Sequence, residues 1–318
     1  MQKKPLAVIF APTLKNTMKT ITGSTKKTHT AALFFEDFKQ ITKARLSVSV
    51  VFSSVAGYFL GAATPNLQTL LLLILGGYCM VGASNAYNQI IEKDTDALMK
   101  RTRQRPLPAG RMSVPVAFII AALFTIFGIA MLYMVNPETA MFGAISIFLY
   151  TGVYTPLKSR TPLSIFVGAL PGAIPFMLGW VAATGDFGIE AGTLFMIQFF
   201  WQFPHFWAIG WMLHDDYKKA GFRMLPTGKK DTATAIQIIM YTIWMLIISV
   251  FPVTGLTGNL HLSPAAAVII LALGLGMLFF AVKLYRKRND KTARQLMLAS
   301  VSYITLMQIV YVADKFLN

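Results

Sequence analysis

The sequence predicts an all-α integral membrane protein of nine transmembrane helices, and two observations predict it. Hydrophobic residues make up 55% of the 318 and charged residues 13%, with a mean hydropathy of +0.57. That is more apolar surface than a soluble domain of this length can bury, so the surplus faces lipid. The basic residues also alternate from one connection to the next, as the positive-inside rule requires.

The spans are read with a window of about 20 residues, the length that crosses a hydrocarbon layer of ~30 Å. Residues 1–45, with nine Lys/Arg, lead into the first span, 46–63. The uncharged connection 64–66 separates it from the second, 67–86. Six Lys/Arg in 86–113 precede the third span, 114–134, and none lies in 135–138 before the fourth, 139–155. Two in 156–161 precede the fifth, 163–182, and none in 183–192 precedes the sixth, 193–213. Five in 214–232 lead to the seventh, 233–255, none in 256–262 to the eighth, 263–283, and six in 283–294 to the ninth, 296–314. Of 29 Lys/Arg, 28 thus fall on one side, and a wrong span count would scramble that separation. The N-terminus is placed inside and the C-terminus outside.

The net charge of +16 therefore reflects topology rather than nucleic-acid binding, and it suits anionic headgroups and substrates. Residues 1–45 read as a flexible cytoplasmic tail ending in a short interfacial stretch. A cleaved presequence is disfavoured, because such segments are Arg-rich and the first Arg is Arg45. Residues 46–318 read as one membrane domain. The single Cys79 excludes a disulfide framework and a cysteine-based metal site. Gly57/Gly61 and Gly168/Gly172 are small-xxx-small pairs suited to close helix approach.

Three segments carry chemistry. At the end of the second span, Asn88, Glu92 and Asp96 recur every four residues and fall within an arc of about 80° on one helix face. Asp94 points away. Carboxylates near hydrocarbon usually face a cavity, and Mg²⁺ prefers hard oxygen ligands completed by phosphate and water. Lys100, Arg101, Arg103 and Arg105 follow at once, as expected where metal and guanidinium jointly hold a diphosphate. In the second segment, Trp201, Gln202, Pro204 and His205 precede Asp216. Pro204 cannot donate to the Phe200 carbonyl and should kink the helix. His205 and Asp216 return to nearly one face about 16 Å apart. The third is the inner loop Tyr154-Thr-Pro-Leu-Lys158-Ser-Arg160, whose two cations serve equally as a topological anchor or as diphosphate contacts.

Together, Asn88-xxx-Glu92-xxx-Asp96-xx-Met99-x-Arg101-Thr-xx-Arg105-Pro, Tyr154-Thr-xx-Lys158, Trp201-Gln-x-Pro-His205-Phe and Asp216-Tyr-xx-Ala-Gly221-xx-Met-Leu-Pro226 resemble the haem O synthase branch of the UbiA-type intramembrane prenyltransferases. The resemblance covers roughly residues 40–318. It implies a bundle around a central cavity open to the cytoplasmic side, with Mg²⁺-bound farnesyl diphosphate at the mouth and its tail in the membrane. Haem b would be the acceptor and haem O the product. Metal ligation falls to Asn88, Glu92, Asp96 and Asp216. Diphosphate contacts fall to Lys100, Arg101, Arg105, Lys158 and Arg160, and haem contacts to His205, Trp201 and Gln202. A haem-delivery or haem-A-synthase partner is a further implication, and the expected location is a bacterial inner membrane, with a mitochondrial inner membrane as the alternative. Two positions depart from the wider superfamily, which commonly has Asp at Glu92 and a second Asp at Ala220, so a second metal ion does not carry over. The competing readings are a related transferase with a quinone-precursor acceptor and, from another class, a transporter.

Overall fold

The computed structural model describes residues 31–318; most of the expected tail, residues 1–30, lies outside them. Helices follow in the order α1 (Ala31–Ile41), α2 (Ala44–Gly61), α3 (Leu67–Ile91), α4 (Lys93–Leu98), α5 (Val114–Val135) and α6 (Pro137–Phe148). A π-helix, Leu149–Tyr154, runs into α7 (Thr155–Leu157), then come α8 (Ser164–Thr184), α9 (Ile189–Met212) and α10 (His214–Lys219). α11 (Thr232–Val250) ends in a 3₁₀ turn, Phe251–Thr254, before α12 (Pro264–Lys287) and α13 (Asp290–Leu317).

Start signals act where sequence chemistry places them. Asn66, Asn136, Asp231, Ser263 and Asn289 each accept the backbone N–H three residues on, capping α3, α6, α11, α12 and α13. Leu, Ile, Phe and Val then run all round α5 and α12, whose outer faces stay exposed for lipid, as at Phe118, Ile126, Val268 and Phe279.

Among the described residues, eight helices are long and apolar enough to cross a membrane, and α9 is not among them. The sixth expected span does form a helix of 24 residues. Its polarity has a cause, because Gln198, Gln202 and His205 turn into a central cavity instead of lipid. α9 also runs through Pro204 without interruption.

The bundle closes as a ring. α2 packs between α3 and α8, α8 against α9, and α9 against α11 and α13, with α13 returning to α2. α2 and α8 meet backbone to backbone: a Cβ on Gly57 would clash with the Phe176 carbonyl, and one on Gly179 with the Ser54 carbonyl. The second glycine pair serves the cavity instead. A Cβ at Gly168 would strike the Tyr154 ring, and one at Gly172 would overlap the Gln202 amide.

Candidate active site

The cavity, about 450 Å³, falls in the size range of small-molecule sites. Asn88, Glu92, Asp96, Arg101, Arg105 and Lys158 line its mouth, and Trp201, Gln202 and His205 line it deeper down.

The mouth is built by a helix that breaks without losing register. α3 stops at Ile91 and Glu92 sits at ψ 8°. The Glu92 N–H still donates to the Asn88 carbonyl (2.9 Å), and the Asp96 N–H to the Glu92 carbonyl (2.7 Å). The four-residue spacing therefore keeps all three side chains on the cavity. Asn88 Nδ2 donates to Thr155 Oγ1 (3.1 Å), and Thr155 Oγ1 donates to the Tyr150 carbonyl (2.7 Å). That couples the acidic helix to the π-helix, which turns Tyr150 and Tyr154 into the cavity. π-helical turns of this kind are frequent at functional sites.

Each acid has one basic partner. Lys158 Nζ lies 2.8 Å from Glu92 Oε1, and both side chains are buried. The Lys158 ammonium also sits 4.5 Å from the Tyr154 ring centroid. Arg105 Nη1 donates to Asp96 Oδ2 at 2.7 Å. The other Asp96 oxygen, Oδ1, is buried and has no partner. Burial pushes the Asp96 carboxyl up, and Arg105 opposes that rise.

Asp216 takes a different position. It is not on the cavity wall, and its carboxylate accepts the backbone N–H groups of Lys100 (3.1 Å) and Arg101 (3.2 Å). Some desolvation raises its pKa, but these two N–H groups hold the carboxyl below its ordinary range. Asp216 thereby fixes the loop that aims Arg101 inward. Lys100 and Arg160 are exposed and off the cavity wall.

Lys43 belongs to the mouth although its sequence context hides it. It adopts a left-handed conformation (φ 46°) between α1 and α2 and lines the cavity. Desolvation, then the nearby Arg105 and Lys158, lower its pKa to about 7. α1 holds this corner: Arg111 pairs with Asp37 (2.9 Å), and the Gln89 amide donates to the Ile41 carbonyl (2.8 Å).

In the deeper part, His205 stacks on Trp201 with centroids 4.8 Å apart. Its Nδ1 lies 2.8 Å from Ser300 Oγ, and Ser300 Oγ donates its one proton to the Met297 carbonyl (2.7 Å). His205 Nδ1 must therefore be the donor, which leaves Nε2 as a bare lone pair. Trp201 Nε1 donates to the Ser300 carbonyl (2.7 Å), and Gln202 Nε2 to the Ala169 carbonyl (2.9 Å).

Among the described residues no three His, Cys, Asp or Glu side chains converge into a self-sufficient metal site. What the mouth offers is two carboxylates and an amide in register, with the fully buried Asp96 Oδ1 unpaired. That donor set fits a hard divalent cation whose remaining ligands are phosphate and water.

The family model described as "UbiA prenyltransferase family" matches residues 50–306. The chain is 67% identical over 296 residues to the Protoheme IX farnesyltransferase of Christiangramia forsetii, covering 93% of this chain and 99% of that protein. It is 68% identical over 287 residues to the same-named protein of Flavobacterium psychrophilum, covering 89% and 96%. Its fold resembles that of a UbiA homologue from Archaeoglobus fulgidus bound to GPP and Mg²⁺, with a TM-score of 0.66 at 14% identity over 87% of this chain and 99% of that one. A structure of digeranylgeranylglyceryl phosphate synthase gives a TM-score of 0.72 at 15% identity, over 88% and 98%. The helical bundle, the acid-lined cavity mouth and these matches establish that the chain is an integral membrane protein belonging to the UbiA prenyltransferase family.

Proposed function

We propose that this protein transfers the farnesyl group of farnesyl diphosphate to the 2-vinyl group of haem b and, with water, makes haem O. The observation that carries the diphosphate half is the mouth itself, where Glu92 and Asp96 stand among Lys43, Arg101, Arg105 and Lys158. The acceptor half rests on the identity with the two Protoheme IX farnesyltransferases and on the bare nitrogen of His205.

Mg²⁺, held by Glu92 and Asp96 with Asn88 beside them, would supply Lewis-acid stabilisation of the departing diphosphate. Arg101, Arg105, Lys158 and Lys43 neutralise its remaining oxygens, and Asp216 acts by fixing the Arg101 backbone. As the C–O bond breaks, an allylic cation forms at the farnesyl terminus. Tyr150, Tyr154 and Trp201 line the cavity around it and keep bulk water away. The vinyl group attacks that cation, and water quenches the resulting charge and releases a proton. His205 Nε2 meets the macrocycle at its iron.

In this reading α9 is the ninth span, and the Lys/Arg excess at the mouth end supports a cytoplasmic mouth in a bacterial inner membrane. Purified protein with Mg²⁺, farnesyl diphosphate and haem b should release diphosphate and yield haem O, identified by mass. His205→Ala should lose haem binding while keeping diphosphate binding. An aromatic acceptor consumed in place of haem would overturn the reading.

A further inference from the structure

The cavity has a branch. A smaller apolar pocket, about 40 Å³, adjoins it in the outer half of the bundle. Val50, Val81, Ser84, Ser146 and Pro175 line both spaces, so a single layer of side chains is common to the two. Beyond that layer lie Val51, Met80, Leu132, Ile174 and Leu178. Of the three serines in its lining, Ser54, Ser84 and Ser146, two spend their hydroxyl protons on backbone carbonyls. Ser84 Oγ donates to the Met80 carbonyl (2.9 Å) and Ser146 Oγ to the Pro171 carbonyl (3.4 Å).

Another part of the main cavity's wall is polar. Gln308 Nε2 donates to Ser53 Oγ (3.1 Å) and Gln198 Oε1 (3.4 Å), and all three residues are buried and line the main cavity. A hydrocarbon chain descending from the mouth meets amides on one side and an apolar branch on the other. Apolar surface gains more from contact with a hydrocarbon than amide surface does, so the chain turns into the branch. Depth agrees. At about 1.5 Å per helical residue, Val81 lies about 10 Å below Asn88 and Gly77 about 16 Å below it, the scale of three isoprene units.

We propose that this branch takes the distal isoprene unit and sets the accepted prenyl length, with Val81 as its threshold and Leu132 as its end wall. The inference rests on the farnesyl-transfer reading and goes beyond it by assigning chain-length selection to particular residues. Leu132 is fully buried, and a Cβ on Gly143 would press on its Cδ1, so the end wall is fixed by packing.

The test compares geranyl, farnesyl and geranylgeranyl diphosphates by kcat/KM for diphosphate release in wild type, Val81→Phe and Leu132→Ala. Val81→Phe should shift the geranyl-to-farnesyl ratio toward geranyl by about tenfold or more, and Leu132→Ala should shift the ratio toward geranylgeranyl similarly. A damaged fold lowers all three rates together and leaves the ratios alone, so the ratios report the branch. Unchanged ratios in both variants, with wild type active, overturn chain-length selection and leave farnesyl transfer standing. A wild type that turns over no prenyl diphosphate overturns both.

Discussion

At the scale of single residues, the mouth balances acids against bases in a space where neither has much water. Glu92 and Lys158 form a buried pair, so removing one partner strands the other. Lys158→Met should therefore destabilise the protein by about 3–5 kcal/mol as well as raise KM for the diphosphate. Thermal unfolding in detergent checks the first effect and initial rates the second. Lys43 gives a pH signature. Its pKa of about 7 means that it loses its charge as pH rises through neutrality in the free protein. A bound diphosphate favours the charged form, so above about pH 7 binding must take up a proton and affinity falls as pH rises. KM for farnesyl diphosphate should climb between pH 7 and the ordinary lysine range, and Lys43→Arg, charged throughout, should flatten that climb. Identical profiles would remove Lys43 from the site. The Asn88, Glu92 and Asp96 triad was legible because its four-residue spacing needs only one helix. Lys43 was not legible, since it is one of nine basic residues in 1–45 and turns inward through a left-handed backbone and the docking of α1, both tertiary effects.

At the scale of elements, close contacts decide where side chains point. α2 and α8 touch through Gly57 and Gly179, and the sequence pattern of small residues anticipated half of this. It identified Gly57/Gly61 but could not name α8 as the partner, and it missed Gly179. Gly179→Val should part the two helices and lower stability by about 1–3 kcal/mol or more, read as a lower unfolding temperature; wild-type stability would mean the helices do not meet there. The π-helix over 149–154 was also invisible to periodicity. Its one local signal is Pro156, which cannot donate to the preceding turn. α9 shows why hydropathy falls short of nine clear spans: the residues that make it useful in the cavity are those that make it less apolar.

At the scale of the whole molecule, the charge asymmetry of the sequence and the cavity of the structure are two aspects of one arrangement. The Lys/Arg excess falls at the end of the bundle where Glu92 and Asp96, at and just after the α3–α4 junction, meet the cavity-lining Arg101, Arg105 and Lys158. Most of those cations can be understood as topology. The subset paired with Glu92 and Asp96 cannot, because topology alone does not require burial or ion pairing at 2.7–2.8 Å. The sequence pattern pointed to Arg105 in this subset and left Lys158 evenly between the two roles. Lys100 and Arg160 are exposed and Asp216 is bound by backbone N–H groups, placements that the loop's turns decide and that spacing along the sequence does not reveal.

The central claim is that the mouth drives departure of diphosphate from a prenyl substrate through Asp96. The most direct test measures diphosphate release by purified protein with Mg²⁺, farnesyl diphosphate and haem b, in wild type and Asp96→Asn side by side. Asp96→Asn keeps the shape but loses the charge of the unpaired oxygen, and turnover should disappear while the helical fold persists. Near-normal release from Asp96→Asn would contradict the account.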